Sequence, residues 1–163
     1  MKIEELYKLF LAHPFISTDS RAVKRDSIFF ALHGENFDGN KFARQAIEKG
    51  AAYAVIDDKI FKEDDRYILV NDSLAELQQL ATFHRRKLNI PVIAVTGSNG
   101  KTTTKELTHA VLAQKFIAYA TKGNLNNHIG VPLSLLEMNE QTQIAVIELG
   151  ANHQGEKSRK RGD

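Results

Sequence analysis

The sequence predicts an α/β fold in two blocks, because short apolar strands alternate with segments of helical periodicity along the chain. Apolar residues recur at helical spacing over residues 2–12, and continuous apolar runs typical of buried strands follow. A strand, a glycine-containing loop and a helix then succeed one another from Val92 onward. These observations favour a small N-terminal α/β domain followed by an incomplete parallel-sheet domain.

The first block is predicted to span residues 1–89. It opens with the helix over residues 2–12, and a later helix is expected to begin at Asn40 as N-cap and to end at Gly50. Strands are predicted over three ranges, residues 26–32, 51–57 and 67–71.

A long helix is predicted to begin at Ser73, because Ser73 and Glu76 have the spacing of a capping box. The helix is expected to end near Asn89, since Pro91 disfavours helical backbone in the residue before it. The boundary between the two blocks is therefore expected at this point.

The second block is predicted to span residues 90–156, with a basic tail over residues 157–163 that is possibly non-native in origin. Its apolar strands favour a parallel sheet that is covered on both faces. Its elements are expected to be a strand at 92–96, a loop at 97–100, a helix at 101–114, a strand at 116–121, a helix at 132–138 and a strand at 143–149.

The composition is that of an ordinary globular protein, with 26% charged residues, no cysteine and a formal net charge of +2. Disulfides and cysteine metal sites are thereby excluded, which fits a cytoplasmic protein. No apolar run approaches the ~18 residues of a membrane span. Four basic residues lie within residues 157–163, so the excess positive charge belongs to the tail, and no nucleic-acid partner is expected.

The segment "TGSNGKTTT" has the features of a phosphate-binding loop. Gly97 and Gly100 would let the backbone approach an anion, Lys101 could reach terminal phosphates, and the Thr102 hydroxyl could bind Mg²⁺. The spacing departs from the general G-x-x-x-x-G-K-[ST] pattern, because Val95 stands where the first glycine would be. An ordinary strand–turn–helix connection with a surface lysine is the alternative.

Glu148 ends the apolar strand "IAVIELG", and ligands of parallel sheets bind beyond the carboxyl ends of strands. We therefore expect Glu148 to lie near Thr102 and to share a Mg²⁺ ion with it. The alternative is a solvent-exposed carboxylate.

Four segments together resemble the Mur ligase family. The short loop in "TGSNGKTTTKE" resembles the family's phosphate loop, and so accounts for the unusual glycine spacing. The segments "TKGNLNNHIGVPLSLL" (121–136) and "IELGANHQGE" (147–156) resemble the next two family motifs. The segment at residues 18–51 resembles the N-terminal domain that holds the UDP-sugar end of the substrate.

The resemblance implies ATP-dependent amide bond formation in peptidoglycan precursor synthesis, through an acyl phosphate, with ATP and Mg²⁺ as cofactors. The motifs look most similar to the member that joins D-alanyl-D-alanine to a UDP-N-acetylmuramoyl peptide. These two molecules are therefore the expected substrates.

The resemblance also implies roles for individual residues. The catalytic residues would be Lys101, Glu148 and His153, and the metal ligands Thr102 and Glu148. The UDP-sugar would contact Ser20, Arg21, Asp38 and Gly39. The nucleotide would contact the loop, the first helical turn and the turn after the next strand, at Gly97, Ser98, Asn99, Gly100, Lys101, Thr102, Thr103, Asn124 and Asn127.

Family members continue beyond Asp163, so the chain is expected to be a truncated part without ligase activity of its own. An incomplete sheet exposes an edge through which copies could self-associate. A non-catalytic module that binds a nucleotide or a UDP-sugar is the alternative function. A related ligase that adds polyglutamate is a weaker one, because residues 18–51 resemble UDP-sugar binders.

Overall fold

The computed structural model describes residues 1–34 and 37–150. The chain forms two compact units, Met1–Phe83 and a second that begins at His84. Each unit has its own parallel β-sheet, which confirms the predicted α/β class. The division into functional domains at residue 89 stays a prediction. Within the described ranges, no helix is long and apolar enough to cross a membrane.

The first unit is built on a fully parallel sheet with the strand order β1-β2-β5-β6. The strands are β1 (Phe15–Ser17), β2 (Ser27–Phe30), β5 (Tyr53–Ile56) and β6 (Tyr67–Leu69), with a separate antiparallel pair β3 (His33–Gly34) and β4 (Phe37–Asp38). The helices are α1 (Ile3–Ala12), α2 (Ala43–Glu48) and α3 (Ser73–Leu88), the last of which continues into the second unit.

The core of the first unit forms where α2 packs on the sheet. Ala43 and Ala46 are fully buried, and their small side chains let the helix approach Phe29 and Ala54 closely. All four residues of β2 are buried, which confirms the buried strand predicted within residues 26–32. Gly50 ends the segment after α2 with a positive φ of 106°, so the predicted glycine stop is confirmed.

Two predicted helix caps are wrong. Asp38, with extended backbone, precedes a short 3₁₀-helix at Gly39–Phe42 and accepts a hydrogen bond from the Asn40 N–H. Asn40 therefore lies inside this 3₁₀-helix and does not cap α2, which begins at Ala43. At α3 the cap is Asp72, whose Oδ1 accepts from the N–H groups of Leu74 and Ala75 at 2.8 and 2.9 Å. An aspartate one residue upstream replaces Ser73 because its carboxylate is the stronger acceptor for the free N–H groups.

The second unit contains a three-stranded parallel sheet with the order β7-β9-β8. Its elements are β7 (Val92–Thr96), α4 (Lys101–Leu112), β8 (Ala118–Ala120), α5 (Gly130–Leu136) and β9 (Ile144–Leu149). Among the described strands of this sheet, β9 comes last in sequence and lies in the centre. Val95 of β7 is in register with Glu148 of β9, which places the end of β9 beside the loop that follows β7.

Coverage of the sheet differs between its strands. Ala145, Val146 and Ile147 in β9 are buried, as predicted for a strand covered on both faces. The prediction is wrong for β7, where Ile93 is 38% exposed, because the described residues do not cover both faces of this strand. Leu107 and Val111 of α4 are also exposed.

Candidate functional site

The connection from β7 to α4 takes its shape from two glycines. Gly97 has a φ of 152° and Gly100 a φ of 75°, values that side-chain-bearing residues rarely adopt. A Cβ atom built on Gly100 would have no heavy atom within 4 Å. Glycine is therefore required at position 100 by the backbone conformation, and the space beside it is open to an incoming group.

Helix α4 begins directly after this loop, with Gly100 as its N-cap residue. The first N–H groups of a helix have no partner within the helix, and the helix dipole adds positive potential at the same end. The loop and first turn carry the exposed residues Ser98, Asn99 and Thr103. This combination is suited to an anion such as phosphate.

Lys101 places its ammonium group over the loop. Its Nζ donates hydrogen bonds to the carbonyl oxygens of Gly97 at 2.8 Å and Ser98 at 3.4 Å. Both contacts are solvent-exposed, so a bound anion could compete for the same ammonium group without opening a packed core.

Glu148 lies at the same edge of the sheet and is almost fully buried, with 2% exposure. Its Oε2 accepts a hydrogen bond from the Thr102 hydroxyl at 3.1 Å, and its Oε1 accepts one from Asn126 Nδ2 at 2.8 Å. The structure therefore brings Thr102 and Glu148 into direct contact across 46 residues of sequence. It does not show the exposed carboxylate that was the alternative.

Two family models match this chain. One, described as "Mur ligase family, catalytic domain", matches residues 13–102, and the other, described as "Mur ligase middle domain", matches residues 95–162. The chain belongs to the Mur ligase family. The loop, Thr102 and Glu148 all lie within these matched regions.

Two relatives of this Mur ligase chain have the same protein name. The UDP-N-acetylmuramoyl-tripeptide–D-alanyl-D-alanine ligase of Bacillus subtilis is 44% identical over 164 residues, which cover 94% of this chain and 36% of that protein. The Escherichia coli ligase of the same name is 43% identical over 141 residues, covering 86% and 31%.

Solved structures give the same relationship. MurF from Acinetobacter baumannii matches with a TM-score of 0.80 and 38% identity, over 91% of this chain and 36% of that one. MurF ligase from Thermotoga maritima in complex with ADP also has a TM-score of 0.80, with 34% identity over 90% and 34%. The Mur ligase chain thus spans about a third of the length of these relatives.

The residues at the sheet edge fit a magnesium ion by their chemistry. A hydroxyl and a carboxylate are hard oxygen ligands, which Mg²⁺ prefers. Within residues 1–34 and 37–150 no three His, Asp or Glu side chains cluster to hold a metal by themselves.

Asn124 and Asn127, predicted to contact the nucleotide, lie in the turn before α5. The Oδ1 atom of Asn127 accepts from the N–H groups of Ile129 and Gly130 at 3.0 and 2.8 Å, so this side chain caps the start of α5. Asn124 is exposed. Their contact with a nucleotide stays a prediction. His153 lies outside the described residues.

The predicted UDP-sugar residues lie in the first unit, after the carboxyl ends of β1 and β2. Arg21 donates from Nε and Nη2 to the Asp19 carboxylate, and these hydrogen bonds lower the pKa of Asp19 to about 2. The Ser20 carbonyl accepts from Lys49 Nζ at 2.8 Å. Arg21 is 85% exposed, so its guanidinium group remains accessible to a ligand.

Gly39 has a structural reason to be glycine. A Cβ atom there would come within 2.5 Å of the Leu32 carbonyl oxygen, because the Gly39 N–H donates to that oxygen at 2.9 Å. Asp38 is engaged in capping the 3₁₀-helix. The role of both residues toward a UDP-sugar stays a prediction.

Sequence reasoning missed three residues around Glu148. Asn126 holds one carboxylate oxygen, the Thr121 hydroxyl accepts the Glu148 N–H at 3.0 Å, and the buried Lys105 ammonium lies 3.8 Å from Oε2. Asn126 and Thr121 lie inside the segment "TKGNLNN", where their polarity alone indicates a turn. The burial of Lys105 could not be predicted from the sequence, because a lysine on a helix is ordinarily solvent-exposed.

Proposed function

We propose that this chain is part of an ATP-dependent ligase that joins D-alanyl-D-alanine to a UDP-N-acetylmuramoyl peptide. In this proposal the second unit binds Mg-ATP and the first unit binds the UDP-sugar end of the acceptor. The contact between Thr102 Oγ1 and Glu148 Oε2 carries the proposal, because it joins the glycine loop to a buried carboxylate at the carboxyl edge of a parallel sheet.

The nucleotide is assigned to the loop at residues 97–100 and the first turn of α4. Free N–H groups and the helix dipole would face the phosphates, and Lys101 would leave its carbonyl partners to bind them. Thr102 and Glu148 would hold Mg²⁺, which neutralises negative charge on the transferred phosphoryl group. The ADP complex of the Thermotoga maritima relative supports the choice of nucleotide.

The reaction proposed for the whole ligase forms an amide through an acyl phosphate. The acceptor carboxylate takes the γ-phosphoryl group of ATP, and ADP leaves. The amine of D-alanyl-D-alanine then attacks the activated carbonyl carbon and loses a proton, and phosphate leaves. The names of the Bacillus subtilis and Escherichia coli relatives contain both substrates. This chain's contribution is to position the phosphates and offset their charge, which is the main protein role in phosphoryl transfer.

Nucleotide binding tests the proposal more directly than turnover, because the chain spans about a third of its relatives. We expect calorimetric titration with ADP to show binding that requires Mg²⁺. Lys101→Ala is expected to weaken it by at least about tenfold, since a charged hydrogen bond to phosphate contributes roughly 1.5–3 kcal/mol. The exposed Lys122, paired with Glu137, supplies the control Lys122→Ala. Equal losses in both variants would contradict the assignment.

The UDP-sugar assignment has a close internal control. Arg21 with Asp19 and Arg66 with Asp64 form the same Asp-x-Arg pair, with the carboxylate accepting from the backbone and side chain of the arginine. We expect Arg21→Ala to weaken binding of UDP-N-acetylmuramic acid and Arg66→Ala to leave it unchanged. If Arg66→Ala weakens binding as much, the assignment to Arg21 is wrong.

A further inference from the structure

Lys105 is a fully buried lysine in the second turn of α4, one turn after Lys101. An ammonium group without water is costly unless other groups satisfy its charge and its donors. The proposed contacts of the nucleotide leave Lys105 without a role. Its burial therefore needs a separate explanation.

The Lys105 ammonium group has three neighbours. It donates to the Thr121 carbonyl oxygen at 2.7 Å, and it lies 3.0 Å from Glu106 Oε1 and 3.8 Å from Glu148 Oε2. Thr121 is itself bound to β9, because its N–H donates to the Val146 carbonyl and its hydroxyl accepts from the Glu148 N–H. Lys105 therefore contacts both Thr121, directly after β8, and Glu148, whose carboxylate is at the site.

The two carboxylates beside Lys105 differ in their surroundings. Glu106 is 61% exposed, so water can stabilise its charge, whereas Glu148 is 2% exposed and depends on protein groups. Asn126 holds Oε1, and both Thr102 and Lys105 approach Oε2. The three side chains together fix the carboxylate from both of its oxygens.

We propose that Lys105 is a positioning residue for the metal–nucleotide site, whose buried ammonium group holds the Glu148 carboxylate in place beside Thr102. This inference rests on the proposed function, since Glu148 and Thr102 are the residues assigned to Mg²⁺. Lys105 touches neither nucleotide nor metal in this assignment and acts through Glu148 and Thr121.

The binding test compares ADP affinity with Mg²⁺ and with EDTA in the full chain, and takes the ratio as the magnesium dependence. Lys105→Met keeps an unbranched side chain but removes the charge, and it is expected to reduce that ratio by about tenfold, as substitutions behind metal ligands do. Glu106→Gln removes the other carboxylate beside the same ammonium and is expected to stay within about twofold of the wild type, because solvent screens exposed pairs.

The double variant Lys105→Met/Glu148→Gln tests whether Lys105 acts through Glu148. We expect its magnesium dependence to match that of Glu148→Gln alone, because residues that act as one unit are not additive. Three results would each overturn the proposal. In the first, the double variant loses magnesium dependence by the product of the two single losses. In the second and third, the magnesium dependence of Lys105→Met stays within twofold of the wild type, or Glu106→Gln loses as much of it as Lys105→Met does.

If Lys105→Met folds too poorly for a binding experiment, the Tm of each variant without ligand tests the same proposal. Lys105→Met leaves Glu148 buried without its cation and is expected to lower Tm by at least about 5 °C, and adding Glu148→Gln should restore most of the loss. Additive Tm shifts, or failure of both variants to fold, would show that Lys105 stabilises the chain through its other contacts and not by holding Glu148. If the wild type binds no Mg-ADP, the proposed function fails, while these Tm values still decide whether Lys105 holds Glu148.

Discussion

Asp57 in the first unit and Glu148 in the second have similar surroundings. Each lies at the carboxyl end of a strand in a parallel sheet, accepts from an asparagine Nδ2 at 2.8 Å, and has a basic side chain close by. The asparagines are Asn40 and Asn126.

The two carboxylates differ in their remaining partners. The second oxygen of Asp57 accepts the Ser73 N–H at the start of α3, so the carboxylate ties β5 to a helix and a 3₁₀-turn of its own unit. Oε2 of Glu148 instead accepts from a hydroxyl in the first turn after a glycine loop. We therefore expect Asp57 to be structural, because its partners are closed backbone and side chains of its own unit, and Glu148 to bind a ligand, because it lies beside an open loop.

The largest expected effect is a difference in ADP affinity between variants of these two carboxylates. Glu148→Gln should reduce magnesium-dependent ADP affinity by at least about tenfold, because a neutral amide is a weaker Mg²⁺ ligand than a carboxylate. Asp57→Asn, the matched change in the first unit, should leave that affinity unchanged. Calorimetric titration of both variants makes the measurement, and a larger loss in Asp57→Asn would reverse the comparison.

Two glycines of the first unit, Gly39 and Gly34, should differ in how much stability a substitution costs. Gly39→Ala forces a Cβ atom against the backbone of Leu32 and should cost about 1–3 kcal/mol, as overpacking does. Gly34→Ala is the control, because the nearest atom to its Cβ would be 3.8 Å away. Urea unfolding measures both, and equal stabilities would refute the close approach at residue 39.

Asn40→Ala should be less costly, at about 1–2 kcal/mol, because it removes a buried hydrogen-bonding side chain but leaves Asp57 with its partners His33 and Ser73. Asn124→Ala, at an exposed asparagine of the second unit, should stay within about 0.5 kcal/mol of the wild type. The two free energies of unfolding come from the same urea series. A larger cost for Asn124 would point to a structural role that its exposure does not suggest.

The smallest effect is a pH dependence at His33. The hydrogen bond to Asp57 raises the pKa of His33 above the 6.5 of the free side chain. Its contribution to stability is therefore complete below about pH 6.5 and is lost as the pH rises through the folded-state pKa. Half-exposure of His33 keeps the contribution under about 1 kcal/mol. Tm measured from pH 6 to 8.5 should show this decline in the wild type and lose it in His33→Gln.

Most helices and strands could be predicted from the sequence, because their apolar residues recur with a regular period and glycine or proline residues lie at their ends. The strand Val92–Thr96 has the bounds that were predicted, and the end of α3 falls one residue before Asn89, whose φ is 47°. The short strands β1, β3 and β4 were not predicted, since two or three residues carry no measurable period. The three-residue strands β6 and β8 were predicted because they lie within longer apolar runs.

The candidate site could be predicted in part. The loop and Glu148 were found because strand ends and glycines leave a local signature, and their proximity followed from parallel strand order. Lys105 and Asn126 could not be found in this way, because their contacts with Glu148 join residues 43 and 22 positions apart and depend on how α4 and the turn pack. The two helix-cap predictions were wrong because Asp38 and Asp72, which lie close to the predicted cap residues in the chain, accept the hydrogen bonds instead.

Paramagnetic broadening by Mn²⁺-ADP tests the central claim most directly, since Mn²⁺ takes the same oxygen ligands as Mg²⁺. As Mn²⁺-ADP is added to the isotope-labelled chain, the amide signals of residues 97–102 and of Glu148 should disappear first. If the signals of Asn40 and Asp57 disappear first, or all signals weaken together, the metal does not bind between the glycine loop and the end of β9.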